Sequence, residues 1–311
     1  MFNTREKTFY KAFGFNIVSD IIFPELTTIN EPQEKHDIQI IMSDEIKYKS
    51  ELEKRPYFHM VRENQVLFFI PEVAFFSIQE GYLISFSPLK NVDEGLLRLY
   101  ILGTCMGVIL MKRKILPLHG SAVEISGKVY AFIGESGAGK STLASAFLNQ
   151  GFSLLSDDVI PITIQSCSPF VTPSYPQQKL WQESLDQLGI GSTNYQSIYD
   201  RETKYQVPIA DKFKIEPRQL AGVFELSKKE GIDDIQLLKI GKLKGFQTLF
   251  DHTYRNFLIP RLGLLDWHFD MSSKIINEID LYQLHRPTGR FTANDLVSMI
   301  LSTVKKEEDK L

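Results

Sequence analysis

The residues best suited to chemistry lie in one glycine-rich stretch near the middle of the chain. Residues 134–141 read GESGAGKS and fit the pattern G-x-x-x-x-G-K-[ST]. In such a loop the backbone N–H groups surround phosphates, the lysine reaches the β- and γ-phosphates, and the hydroxyl binds Mg²⁺. The sequence therefore predicts a nucleotide site. The residues predicted to bind the nucleotide are Gly134, Glu135, Ser136, Gly137, Ala138, Gly139, Lys140, Ser141 and Thr142.

Two adjacent carboxylates, Asp157 and Asp158, follow this loop closely along the chain. Phosphoryl transfer needs a carboxylate near the metal and a group that positions or deprotonates the acceptor. Successive side chains of a strand point to opposite faces, so the two aspartates are not expected to share one role. One would join Ser141 at Mg²⁺ and the other would face the acceptor hydroxyl, and the spacing leaves both assignments open. A simple turn before Pro161 is the structural alternative.

A strand and a helix must hold the loop in place. Residues 129–133 (VYAFI) are a short apolar run typical of a strand, and the spacing of Leu143, Ala146 and Phe147 predicts a helix that stops at Gly151. Strand, loop and helix therefore follow in the order that phosphate binding requires. A further strand is predicted at residues 152–155, ending at the two aspartates.

Length and composition limit the class of protein. The chain has 311 residues, enough for two domains, and its apolar content of 43% is ordinary for a globular protein. The 35 basic and 38 acidic residues leave a net charge of −3 without a basic block, so neither nucleic acid nor a membrane surface is an expected partner. Cys105 and Cys167 stand apart, which favours a reducing, cytoplasmic location without a disulfide or zinc site.

The chain divides into a β-rich region at 1–90, interpreted as accessory or substrate-docking, and a catalytic region at 91–311. The apolar run 99–111 is too short for a membrane span and predicts a buried helix. Residues 162–208 are predicted as a long, turn-rich loop around one helix at 177–188. Other strands are predicted at 9–15, 38–42, 66–70, 74–79, 82–87, 220–226 and 281–284, and other helices at 246–256, 267–277 and 292–304.

Together these motifs resemble the catalytic domain of the HPr serine kinase/phosphorylase family. The shared features are the His119-Gly120 strand start, the loop at 134–141, and the aspartate pair after the following helix. The resemblance implies an α/β fold, α+β overall, with a P-loop HPr-kinase/phosphoenolpyruvate-carboxykinase-like catalytic domain and a smaller β-rich N-terminal domain. It also implies a serine kinase that uses ATP and Mg²⁺.

The resemblance implies roles for individual residues. Lys140 and the loop amides would bind phosphates, and Ser141 with Asp158 would hold Mg²⁺. Asp157 would be the general base, with His119 beside it to orient it.

The negative charge of the transition state calls for one further cation. Arg261 is the first candidate, because it follows Pro260 and precedes Leu-Gly, a setting that could aim it into a cleft. Lys204 and Arg255 are further candidates, and Arg286 could approach the adenine.

Over nearly its whole length the chain resembles the HPr-kinase-like proteins encoded with lasso-peptide biosynthesis enzymes. Residues 14–26, 97–103 and 118–121 carry this resemblance, which implies the C-terminal serine of a ribosomally made precursor peptide as the acceptor. Thr142 stands where HPr kinases have Glu, and 185–210 lacks their Arg-Gly-x-Gly signature, which argues against HPr itself. An HPr kinase acting in sugar-uptake regulation and a nucleotide-binding switch or assembly ATPase are the alternatives. A homo-oligomer is compatible with the sequence.

Overall fold

Two large β-sheets and one small sheet organise the chain. The computed structural model describes residues 7–30, 35–191, 195–198 and 201–309. Over these residues the protein is a mixed α/β structure in which helices cover the second large sheet. The predicted α/β class is therefore confirmed.

The β-rich N-terminal region forms the first sheet. Within the described residues its eight strands lie in the order β3-β1-β2-β4-β8-β7-β6-β5. Its elements are β1 (Thr8–Ala12), β2 (Phe15–Ser19), β3 (Thr27–Thr28), β4 (Ile38–Met42), α1 (Lys49–Glu53), β5 (His59–Arg62), β6 (Gln65–Ile70), β7 (Ala74–Gln79) and β8 (Leu83–Pro88). The strands predicted at 38–42, 66–70, 74–79 and 82–87 are present, whereas the run at 9–15 is β1 followed by a turn at Phe13 and Gly14 that leads into β2. Turn residues such as Asn64 and Gly81, both with positive φ, separate neighbouring strands.

A long apolar helix follows the first sheet. It consists of α2 (Glu94–Tyr100), a π-helical turn at Ile101–Cys105, and α3 (Met106–Lys112). This helix is long and apolar enough to cross a membrane, but 72% of its apolar window is buried inside the molecule. The predicted buried helix is confirmed. Because its side chains share a core with the first sheet and with later residues such as Leu258, the proposed boundary near residue 90 stays a prediction.

The second sheet carries the glycine-rich loop. The strands after α3 are β9 (Leu116–Ile125), β10 (Lys128–Gly134), β11 (Ser153–Gln165), β12 (Ser168–Val171), β13 (Gln177–Trp181), β14 (Gln196–Ile198), β15 (Arg201–Pro208), β16 (Arg218–Lys229), β17 (Gln236–Lys239) and β18 (Asp280–Pro287). In the described part of the chain the second sheet has the order β10-β9-β11-β12-β16-β18-β17, and β10 also pairs in parallel with β16. β13, β15 and β14 form the small sheet.

Helices pack against the second sheet in two separate apolar clusters. The remaining helices are α4 (Lys140–Asn149), α5 (Gln182–Gln187), α6 (Lys242–Asp251), α7 (Leu258–Arg261), α8 (Leu265–Glu278) and α9 (Ala293–Glu308). α4 and α9 share one apolar cluster with β10, β16 and β18. α6 and α8 contribute to a second cluster with other side chains of the sheet. The predicted strand–loop–helix order is confirmed.

Three predictions about the second region were wrong. Residues 162–208 are not a long loop, because they contribute β12 and the small sheet, and the helix expected at 177–188 is β13 followed by α5. The sequence did not predict β13 because buried positions of this strand are polar: Gln178 and Lys179 are only 1% and 7% exposed. The strand expected at 152–155 does not end at the aspartates, since β11 continues along β9 beyond them.

Candidate functional site

The loop between β10 and α4 has a backbone that glycine makes possible. Gly134, Gly137 and Gly139 have φ of 143°, 80° and 108°, values that other residues rarely adopt. At Gly134 a Cβ would also overlap the carbonyl oxygen of Leu226 on β16. Glycine therefore allows β10 and β16 to approach each other closely, and the loop starts from a fixed strand end.

Lys140 begins α4 and folds back over the loop. Its Nζ donates hydrogen bonds to the carbonyl oxygens of Gly134 and Glu135, at 2.8 and 3.1 Å. Burial lowers the pKa of Lys140, while the charges of Asp157 and Asp158 oppose that shift. Phosphate oxygens entering the loop would give this ammonium group stronger, charge-assisted partners than neutral carbonyls.

Asp157 is nearly inaccessible and is held by hydrogen bonds at both oxygens. Its Oδ1 accepts from the hydroxyls of Ser141, at 3.0 Å, and Ser121, at 2.5 Å. Its Oδ2 accepts from the backbone N–H of Lys179 at 2.9 Å. Ser141 is therefore paired with Asp157, whereas the resemblance paired it with Asp158. A hydroxyl and a carboxylate in contact are oxygen donors that suit Mg²⁺, which would complete its shell with phosphate oxygens and water.

Asp158 has different partners on the same cleft. Its Oδ2 accepts a hydrogen bond from Lys179 Nζ at 2.6 Å, and His119 Nδ1 lies 3.5 Å from its Oδ1. Burial alone would raise the pKa of Asp158, but Lys179 and His119 outweigh burial and hold this pKa well below its usual range. Asp158 is therefore a carboxylate, and Lys179 is its buried counter-ion.

Both aspartates line the cleft, contrary to the expectation that they point to opposite faces. β11 has a register shift between Leu154 and Ser156, and Asp158 has a φ of 75° instead of an extended backbone. These two irregularities interrupt the alternation of a regular strand. A left-handed non-glycine residue costs about 1–3 kcal/mol and is typical of functional sites.

His119 lies at the edge of this cleft on β9. Its Nδ1 is 3.0 Å from the carbonyl oxygen of Asp158 and 3.5 Å from Oδ1 of the same residue. Because both of these oxygens are acceptors, the imidazole proton belongs on Nδ1. Burial lowers the pKa of His119, and Asp158 counteracts this only in part. The imidazole is therefore neutral at pH 7, with its basic lone pair on Nε2.

The neighbouring backbone fixes His119 in position. Its N–H donates to the carbonyl oxygen of His252 at 2.8 Å. The next residue, Gly120, lies so close to Phe132 that a Cβ would overlap the Phe132 carbonyl oxygen. This close contact explains why glycine follows His119 in the sequence.

A cleft of about 610 Å³ opens over the loop and is rich in positive charge. Basic side chains in its lining are Lys140, Lys179, Lys204, Lys228, Arg286 and Arg290. Arg286 Nε donates to the carbonyl oxygen of Ala138 at 2.9 Å, so it contacts the loop directly. Phe291, which is 38% exposed, lies in the wall formed after β18. A small cleft with this charge favours a polyanion such as a triphosphate.

Arg261 does not line the cleft, so its prediction as the completing cation was wrong. Its guanidinium donates to the carbonyl oxygen of His59 at 3.0 Å and lies over the ring of Phe58. The buried side chains of α7, Leu258 and Ile259, set this orientation because they pack into the core shared with the first sheet. Of the other candidate cations, Lys204 and Arg286 line the cleft.

Sequence reasoning missed Ser121 and Lys179. Ser121 is two residues after His119, so both lie on the same face of a strand, and this spacing was a usable signal. Lys179 gave no such signal, because its stretch was predicted to be helical and its partner Asp158 is distant along the chain.

The fold and site define a mixed α/β protein with a glycine-rich loop beside paired carboxylates. No family model matches the sequence, and no curated protein matches it. Among solved structures, the chain is similar to the HPr(Ser) kinase/phosphatase from Coxiella burnetii, with 13% identity and a TM-score of 0.35, over 62% of this chain and 98% of that chain. These values do not assign the chain to a family, so its function must be argued from the site.

Proposed function

We propose that this protein is an ATP- and Mg²⁺-dependent kinase that phosphorylates a serine hydroxyl. The observation that carries the proposal is the placement of two carboxylates beside one glycine-rich loop, with Asp157 held by the hydroxyl of Ser141 and Asp158 by the ammonium group of Lys179. A nucleotide switch needs the loop, a metal site and a positioned water. Here Asp158 and His119 add a second polar pair on the cleft, where an acceptor hydroxyl would have partners.

Ser141 and Asp157 would hold Mg²⁺, and the metal would neutralise charge on the β- and γ-phosphates. This reverses the roles of the two aspartates that the resemblance implied. The oxygens of Asp157 already accept three hydrogen bonds, so we assign the serine proton to the other polar pair. Lys140 and the loop amides would bind the phosphates, and Lys204 or Arg286 would supply further positive charge.

The pair of His119 and Asp158 would receive the acceptor. The serine oxygen attacks the γ-phosphorus, the bond to the β–γ bridging oxygen breaks, and ADP leaves. The serine proton passes to His119 Nε2, while Asp158 stabilises the imidazolium that forms.

We further propose the C-terminal serine of a ribosomally made lasso precursor peptide as the acceptor. The support is the sequence resemblance at residues 14–26, 97–103 and 118–121. Such a reaction would take place in the cytoplasm and would need neither nucleic acid nor a membrane.

The test is incubation with ATP, Mg²⁺ and precursor peptides ending in serine, read by mass spectrometry. Matched peptides ending in alanine, purified HPr, and the Lys140→Ala variant are the controls. We expect one added phosphate on the serine-terminated peptide, and at least about a hundredfold lower rate in Lys140→Ala. Phosphate on HPr alone would favour an HPr kinase. ADP without any phosphorylated product would favour a switch or assembly ATPase.

A further inference from the structure

Arginines and aromatic rings form an exposed surface where the first sheet meets the segment before α7. We name this surface the Arg–aromatic patch, and it consists of Arg55, Tyr57, Phe58, Tyr254, Arg255, Phe257 and Arg261. Tyr57 is 60% exposed, while Phe58 and Phe257 are each more than one-third exposed. Aromatic side chains with this exposure, next to arginine, are typical of binding surfaces.

Each arginine of the Arg–aromatic patch lies over an aromatic ring. The Cζ atoms of Arg55 and Arg261 are 5.5 and 4.8 Å from the centre of the Phe58 ring. The Cζ atom of Arg255 is 5.5 Å from the centre of the Tyr254 ring. Stacking restrains a guanidinium and leaves donors at its edge for a carboxylate.

Among the described residues, no carboxylate forms an ion pair with Arg55, Arg255 or Arg261. Arg62, Arg98, Arg218 and Arg290, in contrast, each form an ion pair with Asp or Glu. The buried His59 beneath the patch responds to this charge: burial first, and then Arg255 and Arg261, lower its pKa to about 4. His59 is therefore neutral, and the positive potential comes from the arginines.

The patch adjoins the acceptor side of the cleft. The rings of Tyr254 and His119 are 5.6 Å apart, so Tyr254 connects the patch to the site. The nucleotide phosphates would occupy the loop around Lys140. A peptide with its hydroxyl at His119 and Asp158 would therefore have Tyr254 and Arg255 as neighbours.

We propose that the Arg–aromatic patch binds an acidic segment of the acceptor peptide, so that the enzyme selects acidic peptides. That this peptide is the phosphate acceptor rests on the proposed function, whereas its binding to the patch does not. A peptide fits better than a nucleic acid, because the patch is compact and the chain as a whole carries a net charge of −3. Nucleic-acid binding uses a longer basic track along the phosphate backbone.

The test is fluorescence anisotropy without ATP, using a labelled peptide with four glutamates before a C-terminal serine. The comparison peptide has glutamine in place of each glutamate. At low salt we expect the acidic peptide to bind at least about tenfold more tightly, and the preference to shrink as salt is added. The double variant Arg255→Gln/Arg261→Gln should lose most of this preference. Arg62→Gln, which changes an arginine already paired with Glu51, is the matched control and should keep it.

Equal affinity for the two peptides would overturn the inference, and so would a double variant that keeps the preference. An oligonucleotide that binds through the same arginines when the peptide does not bind would also overturn it. If the double variant fails to fold, Arg55→Gln and the salt dependence of the wild-type protein provide the same test. Acidic-peptide binding without any phosphate transfer would leave the inference standing and count against the proposed function.

Discussion

Under the proposed function, single side chains divide the site into a metal side and an acceptor side. Ser141 and Ser121 both donate to one oxygen of Asp157, while Asp158 contacts Lys179 and His119. The two carboxylates are adjacent in sequence and share a cleft, but among the described residues only Lys179 contacts both of them. Its backbone N–H donates to Asp157, and its Nζ donates to Asp158. Because their other partners differ, their functions should separate on mutation.

Replacing Asp157 or Asp158 by asparagine tests whether the two carboxylates have separate functions. Asp157→Asn should raise the Mg²⁺ concentration needed for half-maximal transfer by about ten- to a hundredfold, because a neutral amide is a weaker partner near the metal. Asp158→Asn should lower kcat at saturating Mg²⁺ while ATP affinity stays within about threefold of wild type, because it removes the group that stabilises imidazolium. Transfer rates over a Mg²⁺ titration, with nucleotide binding measured separately, check both outcomes.

The opposite pattern would exchange the roles. If Asp157→Asn abolishes transfer at every Mg²⁺ concentration and Asp158→Asn shifts only the Mg²⁺ requirement, Asp157 is the base. Asp158→Asn also leaves the buried Lys179 without its counter-ion, so its thermal unfolding temperature should fall below that of wild type. Transfer is therefore compared at a temperature where both variants are folded.

Among the elements, β9 carries His119 and Ser121 to the site and depends on close contact with β10. Gly120→Ala should lower the free energy of unfolding by about 1–3 kcal/mol, because its Cβ would overlap the Phe132 carbonyl oxygen. We also expect transfer to fall more than ATP binding, since the displaced strand holds acceptor-side residues. Gly127→Ala is the control, since no atom lies within 4 Å of its Cβ and only its φ of 78° opposes alanine. Equal effects of the two changes would contradict this account.

The helix formed by α2 and α3 is anchored to the first sheet region by a buried ion pair. Arg98 Nε donates to both Glu25 oxygens, at 2.8 and 3.1 Å, and the side chains are only 10% and 3% exposed. Arg98→Met should lower the free energy of unfolding by about 3–5 kcal/mol, because it leaves a buried carboxylate without its partner. Urea unfolding measures this loss.

Two further variants show whether the buried charge is the cause. Adding Glu25→Gln to Arg98→Met should restore part of the stability, since the unpaired charge is removed. Lys239→Met, which breaks an exposed pair with Asp280, should cost less than about 1 kcal/mol. No recovery in the double variant would show that Arg98 acts through packing instead.

For the whole molecule, buried histidines link stability to pH. Burial lowers the pKa of His268, on α8, to about 4 from an ordinary 6.5, and the pKa of His59 is about 4 as well. Between pH 6.5 and about pH 4, these two histidines bind protons in the unfolded chain but not in the folded chain. Stability is therefore fully present above pH 6.5 and falls as the pH decreases towards 4.

We expect His268→Asn to reduce this acid sensitivity. A histidine with this shift costs about 2–3 kcal/mol of stability near pH 4, and asparagine removes that cost. The difference in free energy of unfolding between wild type and variant should therefore narrow as the pH drops from 7 to 4. Urea unfolding across this range is the measurement, and the exposed His36→Asn is the control. A constant difference at every pH would contradict the assigned cause.

Local patterns in the sequence determined the phosphate loop, its flanking strand and helix, the strands of the first sheet, and the buried apolar helix. Each depends on neighbours a few positions away, through glycine conformations, turn residues and the spacing of apolar side chains. Lys140, Ser141 and the aspartate pair could be proposed as site residues for the same reason, because one motif and its close continuation contain them.

Only the tertiary structure determined which partner each of these side chains contacts. Lys179 meets Asp158 through a small sheet whose polar strands gave no apolar alternation. The packing of α7 directs Arg261 towards the first sheet, away from the cleft where the sequence placed it. A positive φ at Asp158 brings adjacent carboxylates onto one cleft. Such outcomes depend on contacts between distant segments and on backbone irregularities, which periodicity and motif spacing do not encode.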